Sequence, residues 1–176
     1  MMEESREGEI IGKKKMKMMV AIDESEGSFY ALQWTLDNLI NEPSIEGGLI
    51  TLVHVQQPFN PAAYPIIPGG GAAFYTPTLV ESVRKSQQDT SAALLSRALN
   101  MCSDKMVKAE TLVLEGDAKD MICQATEQNP VDLLVVGSRG LGKIKRAFLG
   151  SVSDYCSHHA KCPILIVRPP RELLTK

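Results

Sequence analysis

The sequence predicts an α/β protein: an open, doubly wound, parallel sheet of five strands with helices on both faces. Five short apolar runs carry this reading: KMMVAI at 17–22, LITLVHV at 49–55, KAETLVL at 108–114, DLLVV at 132–136 and PILIV at 163–167. The segments between them mainly repeat apolar residues at helical spacing. The runs themselves are largely continuous rather than alternating, as expected of strands covered on both faces. Crossover helices then make neighbouring strands parallel. A chain of 176 residues, 44% of them hydrophobic, suits one such domain with a sizeable core and leaves little for a second. The domain is expected over 15–170, with 1–14 a flexible N-terminal segment and 171–176 a C-terminal tail.

Taken in order, the first run is short, and Ser25 or Ser28 offers an N-cap to a helix in which Leu32, Thr35, Leu36 and Leu39 recur at helical spacing. The second run is a buried strand. After it, residues 56–78 hold Pro58, Pro61, Pro65, Pro68, Pro77 and the run Gly69 to Gly71, a composition in which no regular element is expected. A long helix should occupy 79–102 with Thr90, Leu94 and Met101 on one side. The third run follows, and then a short amphipathic helix through Ala118, Met121, Ile122 and Ala125. Between the last two strands, Val152, Tyr155, Cys156 and His159 stand at i, i+3, i+4 and i+7, so a final helix begins near 151.

Composition excludes several classes of function. A formal charge of -2 implies neither a general basic surface for nucleic acid nor an acidic disordered chain. No segment approaches the ~18 unbroken apolar residues of a membrane span. MMVAI at 18–22 is cut short by Asp23, so no secretory leader is expected. Cys102, Cys123, Cys156 and Cys162 form no C-x-x-C pair and lie within apolar segments, which points to reduced thiols in a cytoplasmic or nuclear compartment. KKKMK at 13–17 reads as a charged lead-in to a buried strand rather than an import patch.

The chemistry gathers after the fourth strand. LLVVGSRGLGKI at 133–144 nearly matches the phosphate loop of ATPases, with Gly137, Gly142 and Lys143 in place, but Ile144 stands where that loop needs a magnesium-ligating hydroxyl. A different pattern extends further: Gly137, Gly140, nine residues, then Gly150 and Ser151, or G-x2-G-x9-G-S. Glycines let backbone approach phosphate closely, and Gly150 and Ser151 open a helix whose N-terminus favours an anion. In open sheets, ligands bind beyond the carboxyl ends of the strands, where the strand order reverses. Asp23, the stretch from Val55 onward and the stretch from Gly137 onward should therefore meet at one crevice. Lys143, Lys145 and Arg146 read as a solvated face.

On these residues the chain resembles the universal stress protein family, in its ATP-binding branch and most closely its single-domain plant members. KMMVAIDESEGSFYALQWTL, LITLVHV and VDLLVVGSRGLGKIKRAFLGSVSDYCSHHAKCPILIVRP carry the resemblance over nearly the whole chain. It implies a Rossmann-like sheet of strand order 3-2-1-4-5, ATP or AMP in the crevice, and often a homodimer; magnesium is expected beside the phosphates as their usual counter-ion. By the same resemblance Asp23 contacts ribose or adenine, the backbone of Val55 meets the adenine edge, and Gly137, Gly140, Gly150, Ser151 and Ser153 hold ribose and phosphates. Ala21, Ser138, Arg139 and Val152 complete the candidate set. The dimer would pair through the last strand, at Ile164, Leu165, Ile166 and Val167, whose edge nothing downstream covers. The Pro/Gly loop at 56–78 departs from the family's short forms and could cover the site or bind a partner.

Three functions follow from different classes: a nucleotide-binding regulatory protein, a slow ATP-hydrolysing enzyme, and a chaperone-like scaffold using the Pro/Gly loop. Against hydrolysis, no second acid is placed in sequence to orient water, and no catalytic residue is assigned. Flavin in a denatured extract would instead mark a flavodoxin-like protein. Cys156, His158, His159 and Cys162 invite a zinc reading. Cys156 and His159 share a helix face that the core should need, however, and no second pair has zinc spacing.

Overall fold

The computed structural model describes residues 15–40, 49–60, 77–139, 149–170 and 172. Along the chain run β1 (Met18–Ala21), α1 (Glu26–Asn38), β2 (Ile50–Gln56), α2 (Pro77–Asp104), β3 (Ala109–Glu115), α3 (Ala118–Gln128), β4 (Leu133–Gly137), α4 (Ser151–His159) and β5 (Ile164–Val167). The strands form one sheet in the order β3-β2-β1-β4-β5, and every neighbouring pair is parallel.

Successive residues of a strand face opposite sides, so a strand between two helix layers must be apolar at every position. β1 and β4 obey this, and β2 does except at Thr51, His54 and Gln56. Met18, Val20, Ile50, Leu52 and Val135 pack into the core beneath α1 and α2. Met19, Val53, Leu134 and Val136 enter the other core, with Ile122 and Cys123 of α3 and Cys156 of α4.

Ser25 is the N-cap of α1, its hydroxyl accepting from Ser28 N, while Ser28 lies inside the helix. α2 begins within the segment expected to be irregular. Proline suits a first helical position, where its fixed φ matches the helix and no N–H is needed. The rest of that segment, 61–76, lies outside the described residues. The buried line of α2 runs through Ser91, Leu95, Ala98 and Cys102, one residue on from the expected stripe; Thr90 is exposed, and Leu94 and Met101 are half-buried flanks. Three of the four residues on the inner line, Ser91, Ala98 and Cys102, have small side chains, which the apolar spacing alone did not single out.

α4 differs from expectation too. Ser153 and Cys156 are buried, whereas His159, expected on the core face, is exposed and stacks on Tyr155 with ring centroids 3.9 Å apart. β3 departs too. As an edge strand it is not covered on both faces, and Val113 is 46% exposed.

Candidate functional site

β1 and β4 are adjacent in the sheet, yet β1 leads on to α1 beneath one face and β4 to α4 on the other. The chain therefore departs to opposite sides at their carboxyl ends, and a crevice must open there. It has a volume of about 610 Å³. Ala21, Asp23, Val55, Gly137 and Arg139 line it, as do Gly150, Ser151, Val152 and Ser153. Gly140, Lys143, Ile144, Lys145 and Arg146 lie outside the described residues.

Asp23 follows β1, and its Oδ1 accepts the Ser25 N–H at 2.9 Å and the Ser25 hydroxyl. The Asp23 backbone is tied in turn to Ser28, whose hydroxyl lies 3.0 Å from Asp23 O. The carboxylate thus both organises the start of α1 and faces the crevice. Glu24 also lines it, a second acid that the sequence pattern did not reveal.

Gly137 is also needed for packing. A Cβ there would sit 3.0 Å from the carbonyl oxygen of Gly27, and one on Gly27 would sit 2.8 Å from that of Arg139. The two glycines let the first turn of α1 press against the end of β4.

Ser138 is not a lining residue. It is 2% exposed, its N–H donates to Val167 O at 2.8 Å, and its carbonyl accepts from Gly150 N at 2.7 Å. The Gly150 amide, expected to be available to an anion, is therefore occupied. Gly150 is the N-cap of α4 with φ -74 and ψ 160, a conformation open to any residue, and it supplies no side-chain cap. The first-turn amides that follow, at Ser151, Val152 and Ser153, have no intrahelical acceptor, and the helix dipole adds partial positive charge there. The Ser153 hydroxyl is buried, 3.1 Å from Ser138 O and 3.0 Å from Gly150 O, so it binds the cap together.

The opposite wall was foreseen only from Val55 onward; His54 and the α2 side were not. Its residues come from the end of β2 and the first half of α2: His54, Gln56 and Gln57 against Gln87 and Ser91. His54 Nδ1 lies 2.8 Å from Ile22 O, Gln56 Nε2 donates to Ser91 Oγ at 2.8 Å, and Gln87 Nε2 donates to Gln57 O at 2.9 Å. One signal was legible: a histidine inside an otherwise apolar strand. The α2 residues gave none, because Gln87 and Ser91 are polar and stand at the start of the buried line, ahead of its apolar residues.

Among the described residues no group of three or more His, Cys, Asp or Glu could hold a metal ion. Cys156 faces Cys123 instead, with Sγ atoms 3.7 Å apart. Among the described residues no helix is long and apolar enough to cross a membrane.

The crevice can thus take an anionic group at the start of α4 and a polar, uncharged one against β2. Comparison with known proteins bears on what it belongs to. The model of the universal stress protein family matches residues 15–168. The chain is 30% identical over 172 residues to a universal stress protein A-like protein of Arabidopsis thaliana, covering 90% of this chain and 93% of that one. It is 32% identical over 152 residues to the universal stress protein YxiE of Bacillus subtilis, covering 86% and 98%. Its fold is similar to the crystal structure of an Arabidopsis thaliana universal stress protein family protein with AMP bound, at TM-score 0.64 and 28% identity over 89% of this chain and 94% of that one. With the family model matched over 15–168 and a relative 30% identical across most of both chains, the chain belongs to the universal stress protein family.

Proposed function

We propose that the crevice binds an adenine nucleotide, AMP or ATP, and that its occupancy makes the protein a regulatory switch in a stress response. The observation that carries this reading is the start of α4: a cap glycine without a side chain, followed by first-turn amides that line the crevice beside β1 and β4. Such a terminus suits a phosphate. The likeness to a relative with AMP bound supports the adenine base.

Magnesium would be held by the phosphates and water, since no cluster of carboxylates gathers among the described residues. Hydrolysis is slow in this reading. Asp23 and Glu24 are the crevice carboxylates among the described lining residues, and Asp23 already accepts two hydrogen bonds from Ser25. Bound phosphate without groups that favour the transition state turns over little. We further propose pairing through β5 as a homodimer, and residence in the cytoplasm or nucleus, in keeping with unpaired thiols.

The test is calorimetry on nucleotide-free protein with AMP and with ATP, together with absorbance and mass of whatever a denatured preparation releases. Saturable binding of an adenine nucleotide is expected. No binding of either, or flavin in the extract, would remove the reading, and turnover of about 1 s⁻¹ or faster would replace the switch with an enzyme.

A further inference from the structure

His54 and Gln56 stand two residues apart on β2, so they share a face of the sheet, and both line the crevice. Each has spent its donors on the protein. A carbonyl oxygen only accepts, so His54 Nδ1, 2.8 Å from Ile22 O, carries the ring proton; Nε2 of the neutral ring is then an acceptor. Ser91 Oγ gives its one proton to Gln87 O at 2.9 Å and can only accept from Gln56 at 2.8 Å. That fixes the amide with Nε2 towards Ser91 and leaves Oε1 as the acceptor. The second amide hydrogen has Gln87 O at 3.5 Å.

No described residue partners His54 Nε2 or Gln56 Oε1. Since no described buried side-chain nitrogen or oxygen lacks a partner, both atoms are open to solvent from the crevice they line. The two β2 side chains thus present two anchored acceptors and no free donor.

Resting on the reading of the crevice as a nucleotide site, we propose that this wall selects the base. His54 Nε2, with Gln56 Oε1 beside it, accepts hydrogen bonds from the exocyclic amino group of adenine and discriminates against hypoxanthine, which carries an oxygen there. The sheet order supports the placement. Phosphates at the start of α4 lie on the β4 side, β1 with Asp23 comes next, and β2 lies two strand spacings, about 10 Å, from β4. A nucleotide laid across that order brings its base to β2. An oxo group would set acceptor against acceptor, and a site built for a donor rejects a ligand that lacks one because its own polar groups are left unpaired.

The experiment compares AMP with IMP by calorimetry at pH 8, using the full chain and His54→Asn. Asparagine can keep an N–H towards Ile22 O and has nothing at the position of Nε2. The wild type should bind AMP at least about tenfold more tightly than IMP, and the variant should bring the two within about threefold of each other. Equal affinities in the wild type would overturn base selection while leaving the nucleotide site standing. A preference undiminished in His54→Asn would also overturn it and assign recognition to other groups, such as the Val55 backbone. If neither AMP nor ATP binds at all, the nucleotide reading falls and this proposal with it. Should the variant fail to fold, nitrogen-15 spectra of the wild-type imidazole decide: AMP should move the Nε2 resonance far more than that of Nδ1, and an unmoved Nε2 overturns the proposal.

Discussion

At the residue scale, the cysteines show how burial sets reactivity. Desolvation pushes the Cys156 thiol up to about 12 and Cys102 to about 11, and it raises Cys123 as well. The thiolate is the attacking form, so these three should be inert in the folded protein. Cys162 is only half-buried. A chromogenic thiol reagent at pH 8 should therefore titrate one cysteine promptly in the native protein, and the rest only as denaturant unfolds it. Two or more fast thiols would contradict the burial. The sign of the linkage is definite: above the ordinary thiol range the unfolded chain ionises first, so stability falls as pH rises there.

At the element scale, α2 carries the unforeseen wall of the crevice and must be held in place. Its attachments run from Gln87 to Cys102. Cys102 and Leu95 enter the core, Ser91 and Gln87 bond the end of β2, and Arg97 grips the first turn of α1. The Arg97 guanidinium makes two bonds of 3.0 Å to the Glu26 carboxylate and lies 3.8 Å from the Phe29 ring centroid. Arg97→Ala should destabilise by about 1 kcal/mol, mainly through the ring contact, since ion pairs this exposed contribute little. Thermal melts will show it.

The hydrogen bond from Arg97 holds the Glu26 carboxyl below its usual range. A depressed carboxylate stabilises above the unfolded pKa and loses that contribution as pH falls through the folded one. The gap between wild type and Arg97→Ala should thus be full at pH 7 and shrink below about pH 4. A gap that widens in acid would refute the pair.

At the scale of the whole molecule, the sheet has two edges, β3 and β5. β3 carries Glu110 and Glu115, charges that discourage pairing, whereas β5 is Ile164, Leu165, Ile166 and Val167 throughout. The ladder shows which of its amides are free for the proposed dimer. Leu134 N bonds Pro163 O at 2.9 Å and Ser138 N bonds Val167 O at 2.8 Å. In a parallel pair alternate residues face the same neighbour, so Leu165 points its backbone at β4 while Ile164 and Ile166 point theirs outward. Ile166→Pro should therefore give a folded monomer by light scattering, and Leu165→Pro should break the inner ladder and destabilise the fold itself. A wild type that is monomeric at micromolar concentration would dispose of the dimer.

Much of this was legible in the sequence. Continuous apolar runs marked the strands, because a strand between two helix layers has no polar side, and Met18, Met19 and Val20 are all buried. Ser25 could be read as a candidate cap, and the glycine spacing pointed to the start of α4, since caps and turns are local chemistry. The strand order came from the family resemblance, and local spacing does not encode it. Other features required the tertiary structure. Ser138 was expected at the crevice but is buried beneath its wall as a strut, because Val167, far along the chain, takes its amide. Gly137 answers to Gly27 on another element, a packing need that its own strand does not reveal. The acceptors of His54 and Gln56 are fixed by Ile22 and Ser91, one on β1's exit and one on α2. Sequence spacing reports which way a residue faces on its own helix or strand. What stands opposite it is decided only when segments distant in the chain are packed together.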